Sequence, residues 1–178
     1  MRNSDISDLD NTLKSNNTLK LTVSAMYVAV TVVLSTFSIP VGVMRCYPIQ
    51  HFINVFSAVT LGPAYGVMIA FVTSLIRNIL GTGTLLAFPG SMVGALCCGL
   101  IFKYTGKYYF TYLAEIIGTG VIGGLIAFPV ATLIMGKNCA FYAFVLPFLV
   151  STAGGTIMAA ILISVLLKIK AVSWIVSR

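Results

Sequence analysis

Acidic side chains are nearly absent from this chain. Four occur in 178 residues, and three of them, Asp5, Asp8 and Asp10, fall within the first ten positions. Beyond Asp10 the one carboxylate is Glu115, and the one histidine is His51. Charged residues make up 8% of the chain, against about 25% in soluble domains, which excludes an ordinary soluble domain. Membrane enzymes that handle phosphates on Mg²⁺ need several carboxylates, and one is too few. No GxxxxGK[ST] run is present, so ATP hydrolysis by this chain is not expected. Its sequence also lacks a His/Cys set with metal-ligand spacing and any nucleophile motif. Neither catalysis nor a resident cofactor or metal is therefore expected. None of the four cysteines, Cys46, Cys97, Cys98 and Cys139, forms a CxxC pair. Cys97 and Cys98 read as small helix-packing residues. Cys46 and Cys139 fall in loops on one side, where a disulfide is one option.

What the chain has in abundance is apolar surface. It is 58% hydrophobic, with a mean hydropathy of +1.02. A membrane span takes about 20 apolar residues, so six spans with short loops use the length and leave no room for a second, soluble domain. The expected fold is an all-α membrane protein, a compact bundle of six transmembrane helices over residues 19–170. Residues 1–18 form a polar tail whose aspartates are unlike the basic start of a cleavable signal, and residues 171–178 form a second tail. The spans fall at about 20–39, 49–61, 63–78, 88–102, 109–135 and 141–167. Residues 41–50 read as a loop and Gly62-Pro63 as a tight turn. Gly118, Gly120, Gly123, Gly124 and Pro129 are expected to bend the fifth span.

The net charge of +7 is scattered along the chain, which does not suggest nucleic acid. With the N-terminus inside, Arg2, Lys14, Lys20, Lys103, Lys107, Lys168, Lys170 and Arg178 lie on the inner side, and Arg45, Arg77 and Lys137 on the outer. The positive-inside rule therefore puts both termini in the cytoplasm of a multi-pass cell-membrane protein.

Four ionisable groups, Arg45, His51, Arg77 and Glu115, lie in or beside apolar stretches. Each costs about 2.5–3.5 kcal/mol in the bilayer on insertion scales, which argues that they bind something or pair with each other. His51 and Asn54 share a helix face, with Gln50 beside them. Imidazole and amide groups donate and accept hydrogen bonds, which suits a small polar heterocycle, although a polar helix cap is the plainer reading. Thr73, Ser74 and Arg77 form one stripe, followed by Asn78. Arg77 either walls a pocket or snorkels to the outer interface. Glu115 and Thr119 are four apart on one face. Counted from the inner end, Glu115 lies about 9 Å up its span and Arg77 about 21 Å up its own, so a direct pair needs tilt or stagger. Glu115 is expected to reach a ligand or to pair with Lys103 or Lys107. In the outer connection 81–91, Phe88 offers a stacking face for an aromatic ring, or the segment is a plain link. Ala25 and Ala29 form a small-xxx-small stripe on the first span, as do Gly90/Gly94 and Gly120/Gly124 on later ones.

Taken together, Arg45-x-x-Pro48-x-Gln50-His51-x-x-Asn54, Leu61-Gly62-Pro63, Arg77-Asn78, Gly83-Thr84-x-x-Ala87-Phe88-Pro89-Gly90-Ser91 and Glu115-x-x-Gly118-Thr119-Gly120 resemble the ThiW family, the substrate-binding S components of energy-coupling factor (ECF) transporters. The resemblance implies a pocket opening outward and a lid made by the loop after span one, which holds Arg45 and Tyr47. It implies import of hydroxyethylthiazole, a thiamine precursor. It implies docking of a transmembrane T component on Ala25 and Ala29, with a pair of partner ATPases supplying the ATP energy. The substrate-binding candidates are Gln50, His51, Asn54, Arg77, Asn78, Phe88, Glu115 and Thr119. A stand-alone proton-coupled carrier, with Glu115 or His51 titrating, is the competing reading.

Overall fold

The computed structural model describes residues 17–36, 38–41, 44–136, 138 and 140–168. Six helices carry these residues: α1 (Asn17–Leu34), α2 (Pro48–Thr60), α3 (Pro63–Ile79), α4 (Ala87–Thr105), α5 (Tyr108–Ile134) and α6 (Val145–Lys168). Four of them, α1, α4, α5 and α6, are long and apolar enough to cross a membrane. α3 has 17 residues and α2 has 13. At 1.5 Å per residue α2 is about 20 Å long, well short of a hydrocarbon core of about 30 Å. The chain is an all-α membrane protein, apart from one small hairpin.

That hairpin corrects the expectation of a loop over 41–50. Strands β1 (Ile39–Val41) and β2 (Met44–Cys46) pair antiparallel, with Pro40 opposite Arg45. Ile39 and Val41 are β-branched, and Pro40 is tolerated because a two-stranded hairpin is all edge. Pro48 then occupies the first turn of α2, where a missing N–H costs nothing. Between α2 and α3, Gly62 adopts φ 87°, a conformation that favours glycine. Pro63 opens α3 directly after it. The expected irregularity of the fifth span takes the form of wide, π-helical turns at Ile116–Gly123 and Val130–Ile134. The first is the glycine-rich stretch. The second follows Pro129, which cannot donate its share of the helical ladder.

The bundle is apolar outside and polar inside. Leu21, Val33, Met68, Ile79, Leu133 and Leu146 stand exposed on its surface. Among the described residues, 17 buried side chains are polar or charged, as many as are hydrophobic. A lipid-facing exterior gains nothing from charge, so polar groups collect where helices face each other. Two apolar clusters bracket them. Val55, Val59, Cys98, Phe102 and Ile163 pack near the α4–α5 turn. Leu86, Ala127, Ala131 and Phe144 pack near the opposite end. α2 runs through the middle, against α3, α4 and α6, while α1 rests mainly on α3.

Glycine contacts set how closely these helices approach. A Cβ on Gly123 would lie 2.7 Å from Gly90 Cα, which joins α5 to α4. A Cβ on Gly99 would collide with Pro63, which joins α4 to α3. A Cβ on Gly155 would collide with the Pro48 carbonyl and lie 2.7 Å from His51 Cβ, which seats α2 on α6. Of the small-residue stripes, Gly90 and Gly94 on α4 and Gly120 and Gly124 on α5 are close helix–helix contacts.

Candidate functional site

A cavity of about 520 Å³ lies at the end of the bundle that carries the hairpin and the α3–α4 connection. Its buried floor is polar. Ser91 Oγ donates to Ala87 O at 2.7 Å, so it accepts from Ser74 Oγ at 3.1 Å. Ser74 in turn accepts from Gln50 Nε2 at 3.1 Å. That direction leaves Gln50 Oε1 as an acceptor, and it takes the Nη1–H of Arg77. One chain of hydrogen bonds thus ties α4, α3 and α2 together.

Arg77 is fully buried. Its Nη2–H donates to Thr82 O at 3.3 Å, and the Tyr47 ring lies over its Cζ at 4.0 Å to the centroid. Its Nε–H has no partner, and it has no carboxylate partner among the described residues. Arginine suits this setting, because its flat guanidinium stacks on a ring while its edge donates. Gly83 is drawn against it, since a Cβ there would lie 3.0 Å from Arg77 Cβ.

Below this chain sits a second polar set centred on Glu115, which is fully buried on α5. Its Oε1 accepts from Asn54 Nδ2 at 3.1 Å and Thr119 Oγ1 at 2.9 Å, and it shares a hydrogen bond with His51 Nδ1 at 3.0 Å. Its Oε2 accepts from Cys98 Sγ at 3.2 Å. Asn54 Nδ2 also donates to Ser91 O at 3.2 Å, which links the two sets. Gly94 makes room for this arrangement. A Cβ there would collide with Thr119 Oγ1 and lie 2.6 Å from Glu115 Oε2.

Of the residues singled out from sequence, Arg45, Tyr47, Gln50, His51, Arg77 and Thr119 line the cavity. Asn54 and Glu115 lie behind them. Asn78 sits beside the site, where its Nδ2 donates to Ser74 O at 2.8 Å and Thr84 O at 3.0 Å and holds the α3–α4 connection. Phe88 packs on Phe71, ring centroids 5.6 Å apart, and is not among the cavity's walls. Glu115 turns to His51 instead of Lys103 or Lys107, and it does not pair with Arg77. The cysteine pair proposed as a disulfide includes Cys139, which lies outside the described residues. Cys46 is buried against Pro147 O, with Sγ at 3.5 Å.

One further wall, not singled out by the sequence, comes from α6 and from Phe144 just before it. Phe144, Pro147, Phe148 and Ser151 face the cavity, and Ser151 Oγ accepts the Tyr47 N–H at 2.9 Å. The available signal was Pro147 and Ser151 four apart with Phe148 between them, a face mixing aromatic and hydroxyl groups at the start of the last span. The result is a pocket with aromatic faces on one side and a guanidinium, an amide and an imidazole on the other. Its volume falls in the usual range of about 300–1,000 Å³ for small-molecule sites.

A family model described as "Thiamine-precursor transporter protein (ThiW)" matches residues 21–169. No curated protein and no solved structure matches the chain.

Proposed function

This chain belongs to the ThiW family of thiamine-precursor transporters, and from that premise we propose that it is the substrate-binding subunit of an ECF-type importer for hydroxyethylthiazole. The observation that carries the proposal is the cavity of about 520 Å³, with Phe144 and Phe148 on one side and His51, Gln50 and Arg77 on the other. A flat heterocycle bearing a hydroxyl group matches both halves. In the cell membrane the chain makes six crossings, with α2 as a short helix continued by the hairpin. Lys20, Lys103, Lys107 and Lys168 gather at the end opposite the cavity, which supports cytoplasmic termini and a pocket facing outward.

The energising partners follow the same reading. Ala25 and Ala29 are exposed on α1 and line an apolar groove of about 600 Å³ with Val32, Met68 and Val72. That groove supports docking of a T component, with the ATP consumed by its ATPase pair. Replacing Ala25 or Ala29 by Trp is expected to abolish co-purification with the T component while ligand affinity stays within about twofold, because surface changes away from a site rarely exceed about 0.5 kcal/mol. Survival of the complex in both variants would remove α1 as the contact.

The substrate is tested by thermal shift of the purified chain. Hydroxyethylthiazole at 100 times its Kd is expected to add about 2.7 kcal/mol of stability, and thiamine and riboflavin much less. A response to another vitamin with none to the thiazole would refute the assignment.

A further inference from the structure

We infer that His51 accepts a hydrogen bond from the ligand's hydroxyl group at Nε2, and that Glu115 is the positioning residue that holds the ring in the tautomer able to accept it. The inference rests on the substrate reading above and adds the atom that selects for an alcohol.

Three side-chain donors already converge on the two oxygens of Glu115, Asn54 Nδ2, Thr119 Oγ1 and Cys98 Sγ, an environment that suits a carboxylate, and His51 Nδ1 lies 3.0 Å from Oε1. An ionised carboxylate is acceptor-only, so the proton between His51 and Glu115 resides on Nδ1. The formal charges buried in the site are then one guanidinium, Arg77, and one carboxylate, Glu115. A neutral imidazole leaves this set balanced, whereas an imidazolium adds an uncompensated charge in a low-dielectric interior. Neutral imidazole with hydrogen on Nδ1 has a lone pair on Nε2.

That lone pair is unused. His51 lines the cavity, and its ring has no hydrogen-bond partner besides Glu115 among the described residues. Nε2 is not among the sealed, unpartnered atoms, so it is open to a ligand. Each neighbouring acceptor already holds one hydrogen bond. Gln50 Oε1 holds Arg77, Ser74 Oγ holds Gln50, and Ser91 Oγ holds Ser74. Arg77 can only donate. On the floor made by α2, α3 and α4, His51 Nε2 is thus the acceptor that no described protein group satisfies, and the one that gains most from a ligand O–H. An ether in the same place can still accept from Arg77, but it has no O–H to give and leaves Nε2 unpaired.

Because the chain has a single histidine, its ring nitrogens are directly identifiable by ¹⁵N NMR of full-length protein labelled at histidine in lipid nanodiscs. The expected spectrum shows Nδ1 protonated and Nε2 bare. Hydroxyethylthiazole should shift Nε2 and leave Nδ1 little changed. Its O-methyl ether should bind at least about tenfold more weakly, the usual consequence of leaving one buried group unpaired. Glu115→Leu should give a mixture of tautomers and lose the alcohol-over-ether preference, a readout that packing alone would not move. Should that variant fail to fold, the wild-type spectra and the affinity ratio decide. A protonated Nε2 in the free protein, or equal affinity for alcohol and ether, overturns the inference while leaving the substrate reading intact. Failure of both compounds to bind overturns the substrate reading and the ligand contact together.

Discussion

Glu115→Ala is expected to weaken ligand binding and to destabilise the bundle, by about 1–3 kcal/mol for each buried donor left without a partner. The carboxylate is the common acceptor for His51, Asn54, Thr119 and Cys98. Its deletion strands donors from α2, α4 and α5 at once, in a place that water does not reach. The His51 ring then loses the partner that orients it towards the cavity. Thermal unfolding in detergent and equilibrium binding measure the two effects separately. Cys98→Ala removes the weakest donor of the four and should leave both nearly unchanged. An unfolding midpoint for Glu115→Ala equal to that of the unsubstituted chain would mean that the carboxylate is not the centre of this network.

Gly94→Ala is the second large effect, and it adds only a methyl group. The new Cβ would land on Thr119 Oγ1 and within 2.6 Å of Glu115 Oε2. Neither atom can retreat easily, since both are held in the Glu115 hydrogen-bond set. Overpacking of this kind costs about 1–3 kcal/mol, and here the strain falls on the groups that orient His51. Binding should weaken more than stability. Gly154→Ala is the matched control, because its Cβ would meet Pro48 at an ordinary 3.7 Å. Combining Gly94→Ala with Thr119→Ala removes the worst collision and should recover part of the loss. Neighbours of this kind are non-additive, so a strictly additive double variant would argue against direct contact.

Much of the site was legible one helix at a time. The three-residue spacing of His51 and Asn54 put both on one face, and both do meet Glu115. The four-residue spacing of Glu115 and Thr119 likewise predicted a shared face, and the two are bonded. The stripe Thr73, Ser74 and Arg77 was only partly informative. Ser74 joins the chain to Gln50, whereas Thr73 Oγ1 is buried without a partner. Spacing does not give relative height. Residue counting puts Glu115 about 9 Å up the fifth span and does not say where His51 stands beside it. α2 has only 13 residues. From the Thr60 end of α2, His51 is about 14 Å up, and from the Tyr108 end of α5, Glu115 is about 10 Å up. The two are therefore nearly level.

By itself the sequence determined the membrane class, the all-α fold and the few polar side chains available for binding. These follow from composition and local spacing, because a lipid solvent tolerates little charge and helical periodicity reports the faces of each helix. Which of those side chains meet was decided only in the tertiary structure. Periodicity carries no information about the relative height of two helices. That height comes from the shortness of α2 and from the glycine contacts at Gly94, Gly99 and Gly155. The near-absence of acidic residues singled out Glu115 as exceptional, and the packing of α2 and α4 against α5 made it the partner of His51.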